Sequence, residues 1–354
     1  MSRPFSRQRR AEGQRPAAAD LQSLVVKALY EGLMIDDEWA APRANGFTWW
    51  AYRLAQHVEA TPFEAPDGAR GCRLHVWTDV VAGVRGAEQA VGLLAPVNAL
   101  QSMSASSFDP ASATITDSLT AVVYEETADT LMPVVAMAAI LQNTAAHSHA
   151  HAMAEATGGC PAASQHPGSG QRPEMDEMLT LPADMASNAG TEASAFAGDL
   201  VSRLGPFARQ MGLCANGDPE GFTAEVPCTG PLTTAEALDA SGKLQPVDSA
   251  LVQVGTDQGH PELGAGALVT MRLPFVLAPQ DAAAAANELN RLELDPVPFS
   301  TLGAWCTSPE GDGCAFVSFI PSTLARPGLL ENFLVWDTVR ARWAGEALTR
   351  ILGQ

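Results

Sequence analysis

The chain has 354 residues, 46% of them apolar, and a formal charge of −19. It is long enough for two domains or one large one, each with its own core. So acidic a balance disfavours general nucleic-acid binding, which needs clustered Lys and Arg against phosphate. No apolar run reaches the length of a membrane span and the first residues lack a signal-peptide core, so a cytoplasmic chain with no membrane partner is expected.

Residues 1–19 are rich in Arg (Arg3, Arg7, Arg9, Arg10, Arg15) and poor in apolar side chains, the composition of a disordered basic arm. From Asp20, placed as an N-cap, Leu21, Leu24, Val25, Ala28, Leu29 and Leu33 recur at helical spacing. Phe47–Glu59 and Arg73–Val81 read as the two strands of a hairpin, turned at Pro62, Pro66, Asp67 and Gly68. A helix over about 87–100 follows, shortened or kinked by Pro96. A second hairpin then closes on Thr114–Tyr124, and a third helix starts near Thr127, with Leu131, Val134, Val135, Ala138 and Leu141 on one face. This first block covers 20–144. Residues 145–190 shift to Gly, Pro, Ser, His and Met, the composition of a flexible spacer.

The second block, 191–354, repeats the order. A helix carries Phe196, Leu200, Leu204, Phe207 and Met211 behind a Thr191 cap, with a bend at Pro206. A Gly/Pro/Thr-rich connection has one short strand around Phe222–Val226. The strands Leu251–Val254 and Leu268–Leu277 follow, then the helix Ala282–Leu292, the hairpin Phe299–Cys306/Cys314–Ile320 and a last helix from near Pro327. Each block closes its middle helix with Asn-x-Leu, at Asn98–Leu100 and Asn290–Leu292. The fold class is therefore α+β: two similar α-β-β-α-β-β-α blocks, antiparallel sheets packed against helices, related by internal duplication.

Candidate sites are few. His147, His151 and Glu155 would stack at i, i+4 and i+8 on a helix and could ligate zinc or nickel. The plain alternative is adventitious binding by a His-rich tract at the edge of a spacer, which offers no rigid surround to orient ligands. No cofactor is expected: the phosphate-loop, dinucleotide and nucleophile-elbow patterns are absent. Adjacent Trp49 and Trp50 on one strand would point to opposite faces, so one leaves the main core side. There it either anchors a partner protein or lies under a covering helix. Cys306 and Cys314 flank a hairpin loop and either face each other across the strands or stay reduced in the core.

The hairpin pairs Phe47–Glu59/Arg73–Val81 and Leu251–Val254/Leu268–Leu277, the helices between them and the closing strands Leu119–Tyr124 and Cys314–Ile320 resemble, in topology, the type III secretion chaperone-like superfamily, including its YbjN-type members. The resemblance implies a small acidic fold that pairs as a dimer and binds extended or partly folded client polypeptides. It implies here a pseudo-dimer of the two blocks within one chain, and a client-binding or adaptor role with another protein as partner. Two other roles stay open: a metal-binding protein or metal-dependent enzyme built on His147 and His151, and a structural subunit that assembles with copies of itself as a homo-oligomer.

Overall fold

The computed structural model describes residues 18–65, 68–188, 193–229, 248–257, 259–309 and 311–353. The basic arm and the Thr191 cap lie outside them, save for the first residues of the opening helix.

In chain order the first block runs α1 (Ala18–Gly32), β1 (Ala40–Arg43), β2 (Gly46–Trp49), β3 (Gln56–Glu64), β4 (Arg70–Ala82), α2 (Ala87–Leu100), β5 (Ala105–Asp109), β6 (Thr114–Tyr124) and α3 (Ala128–Thr157). A two-residue strand β7 (Cys160–Pro161) and α4 (Leu181–Asn188) follow. The second block opens with α5 (Ala197–Asp199), a π-helical turn (Leu200–Leu204) and α6 (Gly205–Gln210). It continues with β8 (Cys214–Gly217), β9 (Gly221–Pro227), β10 (Ser249–Gly255), β11 (Gly266–Arg272), α7 (Pro279–Leu292), β12 (Ala304–Thr307), β13 (Cys314–Pro321) and α8 (Leu329–Leu352).

Both sheets are antiparallel and have the same strand order, β1-β2-β3-β4-β6-β5 and β8-β9-β10-β11-β13-β12, with β7 pairing the end of β4. The α+β class and the repeated blocks are therefore observed, with one addition. Each block carries a strand pair, β1/β2 and β8/β9, ahead of the expected hairpin; β9 is the short strand expected around Phe222–Val226, and β1 and β8 are additions. The single strand expected over Phe47–Glu59 is two strands, broken by a bend at Trp50–Ala55. β1 and β8 are four residues long and hold Pro42 and Asn216-Gly217, which mask a strand signal. Pro42 lies on the free edge of sheet 1, where its missing N–H blunts further pairing.

The helices differ from expectation for local reasons. α3 passes the expected end near 144 and carries the His-rich tract inside it, because residues 145–157 are rich in alanine. It stops where Gly158 takes a left-handed φ of 69°. The stretch expected as a flexible spacer is tied to the first block by backbone hydrogen bonds: β7 pairs β4, Ala162 N–H donates to Val80 O, Ser164 N–H to Arg53 O and Asp176 N–H to Ala51 O. Pro206 cannot donate a backbone hydrogen bond, and the turn before it widens to π geometry. α2 runs through Pro96 to Leu100.

The blocks meet about an approximate two-fold. α2 packs on β12 and α7 of the other block, while α7 packs on β5. The Asn-x-Leu landmarks explain themselves here. The Asn98 carboxamide donates to Ser106 O at 2.9 Å and accepts from Ser106 N–H at 2.9 Å. Asn290 does the same to Trp305, at 2.9 and 2.8 Å. Ser106 pairs with Asp117 and Trp305 with Phe316 on the neighbouring strands. Each asparagine thus satisfies the outward backbone groups of an innermost edge strand, as one more strand would. Across the junction Asn287 clamps the Phe108 backbone at 2.8 and 3.1 Å, and Thr301 N–H donates to Thr120 O at 2.8 Å. At the position equivalent to Thr120, the Phe319 carbonyl accepts from Ser102 at 2.6 Å. Arg73 donates to the carbonyls of Glu293, Leu294 and Asp295 at 3.3, 2.6 and 2.9 Å, a cation at the negative end of α7. The largest apolar cluster includes Leu29 and Val135 of one block and Phe316 and Phe333 of the other. Among the described residues no helix is long and apolar enough to cross a membrane.

Candidate functional site

The tryptophans expected as a partner anchor are both inside. Trp49 is 0% exposed and Trp50 is 8% exposed. The segment after α3 covers Trp50: its Nε1–H donates to Ser164 Oγ at 2.9 Å, and its ring meets His166 edge-on at 5.2 Å. Arg172 donates to the Trp50 carbonyl at 3.0 Å and pairs with Asp176 at 2.8 Å. Neither indole is presented to a partner. Burial of large aromatic surface, here by chain 114 residues away, decides it.

The His147, His151 and Glu155 set is helical, as the spacing required, yet it does not converge. His147 is half-buried, with Nδ1 2.9 Å from Asn143 O and Nε2 accepting from Leu54 N–H at 3.1 Å. Both ring nitrogens are engaged, so no lone pair is left for a cation. Burial holds the His147 pKa below the usual imidazole value, against the opposing pull of the Asn143 carbonyl. His151 and Glu155 are exposed, and at 100° per residue Glu155 stands about 80° around the helix from His147. Among the described residues no group of three His, Cys, Asp or Glu is placed to hold a metal ion.

Cys306 and Cys314 do not face each other. The register pairs Cys306 with Ala315 and Thr307 with Cys314, which puts the two thiols on opposite faces of the sheet. All six cysteines are free.

Two buried polar groups look like chemistry and are closed to solvent. Arg340, at 1% exposure, donates to Glu293 at 3.0 Å and to Asp337, and its Nη2 donates to Ser300 O at 2.5 Å. Its guanidinium lies 3.7 Å from the Phe316 ring centre, and Trp305 donates to Glu293 at 2.8 Å. Burial pushes the Asp337 carboxyl up to about 6 and raises that of Glu293, opposed in both by Arg340. The second group is a cross-strand row, Gln56, Thr78, Asp117 and Ser106, facing Gln142 of α3. Burial pushes the Asp117 carboxyl up to about 7, against hydrogen bonds from Ser104 and Gln101. Both clusters pin helices to sheets.

Among the open grooves of the described residues, one of about 860 Å³ lies between α1 and α3. The helices touch where a Cβ on Gly32 would come within 2.9 Å of the Ala136 Cβ. Met132, Ala136, Met137, Ile140 and Met178 form the floor, and Glu31, Glu125 and Asp129 stand along the lining. Leu24 is 56% and Met34 69% exposed. Methionine is unbranched and polarizable and adapts to varied apolar surfaces. Met34 also holds φ at +48°. Its N–H reaches Glu31 O at 3.1 Å and the Ile35 N–H reaches Tyr30 O at 3.5 Å, the helix-ending pattern that favours glycine at this position. A methionine there strains the backbone and places an apolar side chain in water.

This groove is not legible in the sequence. The repeating apolar residues of both helices are legible; that the two helices leave a groove between them is not. The fold and groove define a class: an α+β protein of two pseudo-symmetric antiparallel blocks that presents an apolar, methionine-lined cleft on the first block. In comparisons with known proteins, no family model, curated protein or solved structure matches the chain.

Proposed function

We propose that this chain is a non-enzymatic, chaperone-like or adaptor protein of the cytoplasm that holds a segment of another polypeptide in the groove between α1 and α3. One observation carries the reading: the exposed Leu24 and Met34 stand over a methionine-rich floor, and Met34 does so at a strained left-handed φ. Strain kept at an exposed apolar residue is a stability cost without a folding benefit, and such costs gather at binding surfaces. The topological likeness to the type III secretion chaperone-like superfamily supports the same reading, since its members pair as dimers and bind clients. Here two like blocks pair within one chain. The charge of −19 argues against nucleic acid as the partner.

The test places a photo-crosslinking amino acid at Leu24 and, as a control, at Val276, which is 82% exposed on the second block. Each variant of the full chain is irradiated in native lysate. A discrete polypeptide adduct at position 24 and none at 276 supports the proposal. No adduct at 24, or the same adducts at both positions, overturns it.

A further inference from the structure

We propose that the segment held in the groove is an amphipathic α-helix, basic at the end that lies against Glu31, Glu125 and Asp129. This inference rests on the polypeptide-binding reading and adds the conformation and charge of the ligand.

Conformation follows from hydrogen-bond accounting. The two walls are the helices α1 and α3, whose backbone groups along the groove are already satisfied within each helix. An extended segment entering an apolar cleft between helices would find no backbone partners, and each amide desolvated without one costs free energy. A helical segment satisfies its own backbone and brings only side chains to the floor. A sheet edge would suit an extended ligand, but β1 lies outside this groove and carries Pro42 on its free edge. Length is set by the wall: from Leu21 to Met34 the helical rise gives on the order of 20 Å. That distance seats three to four turns of a partner helix, read by apolar residues at i, i+3 or i+4, and i+7.

Charge follows from the lining. All its ionisable residues, Glu31, Glu125 and Asp129, are acidic, and none is Lys or Arg. They share one end, where the C-terminus of α1 meets the start of α3 near Gly32 and Ala136. Two cations stand nearby without lining the groove: Lys27, 3.7 Å from Glu31 in an exposed pair, and Arg326, 3.4 Å from the Thr130 carbonyl. An exposed pair of that kind is weak and yields readily to a competing cation. The opposite end, around Leu21, Ile140, Met178 and Leu181, is apolar. A ligand with an apolar stripe and Lys or Arg at one end matches both parts, and an acidic twin is repelled at the rim.

The experiment uses the full chain and three fluorescent peptides of about 16 residues in anisotropy titrations. One is a helix-forming sequence with a Leu/Met stripe and Lys/Arg at one end. The second has the same stripe with Glu in place of the basic residues, and the third is the basic peptide broken by two prolines. The basic helix is expected to bind at least about tenfold tighter than either twin at low salt. Leu24→Asp should abolish binding, and Glu31→Gln/Glu125→Gln/Asp129→Asn together should weaken it about tenfold. These four residues are exposed, and an unchanged thermal melt verifies that the variants fold. Equal binding of the proline-broken or acidic peptide overturns the inference, as does a Kd for the basic helix weaker than about 1 mM. If the crosslink at Leu24 still captures a polypeptide in either case, only the helix and charge assignment falls. If that crosslink captures none, the broader reading falls with it.

Discussion

The paired asparagines offer the sharpest test of the two-block architecture. Replacing Asn290 with Ala removes two hydrogen bonds of 2.9 and 2.8 Å to the Trp305 backbone in a site 4% exposed. Two net hydrogen bonds are worth about 1–3 kcal/mol, and the buried Trp305 N–H left without an acceptor adds about 1–3 kcal/mol. The Trp305 carbonyl keeps a long bond, 3.4 Å, from Asn98, so the expected loss lies near 3 kcal/mol. Asn98→Ala removes the equivalent pair to Ser106, at 2% exposure, and should cost about the same. Because both carboxamides reach the Trp305 carbonyl, the double variant should depart from additivity by about 0.5 kcal/mol or more. Urea unfolding followed by tryptophan fluorescence measures all three variants. Losses below about 0.5 kcal/mol for both single variants would refute the view that these residues complete the inner sheet edges. A large loss at one site and none at the other would refute their equivalence.

Other consequences are open to direct measurement. Met34→Gly relieves a left-handed φ of +48° and should raise stability by about 1 kcal/mol in a thermal melt while weakening capture at the groove. Asp117 is an acid whose folded pKa, about 7, lies above its unfolded value of about 3.9. The native state therefore holds the proton more tightly, and its stability falls as pH rises from about 4 through about 7. Asp117→Asn should flatten that part of the stability profile, read by denaturation at pH 5 and pH 8. His147→Ala leaves the Leu54 N–H without its acceptor and should cost about 1–2 kcal/mol, whereas His151→Ala should be near neutral. Metal content of the purified protein should be the same for both variants and the wild type.

Much of the architecture was legible in local patterning. Helical spacing from Leu21 to Leu33 and β-branched runs such as Leu251–Val254 identified the elements that frame each block. The order of those elements, repeated, anticipated the common strand order of the sheets. The strand around Phe222–Val226 was expected and is β9; the unexpected β1 and β8 are four residues long and carry Pro42 and Asn216-Gly217. The His, Ser and Met of residues 145–157 have the composition of a spacer, but their alanines favour helix and α3 runs on to Thr157.

The candidate sites were less legible because each depended on what a distant segment does. His147 loses its free nitrogen to Leu54, 93 residues away, and Trp50 is covered from 114 residues away. Cys306 and Cys314 were near in sequence, but the register of one hairpin put them on opposite faces.

By itself, then, the sequence determined most of the kinds of element, their order and its repetition, and the acidity of the chain. These are set by side-chain periodicity and composition within a few turns or strands. Only the tertiary structure decided that the blocks pair through α2 and α7, and that Asn98 and Asn290 close the inner edges. It also decided that the suspected tryptophans and histidine are occupied and that a methionine-lined groove lies between α1 and α3. Those outcomes depend on which faces meet, and contacts between residues far apart in the chain leave no local period to read.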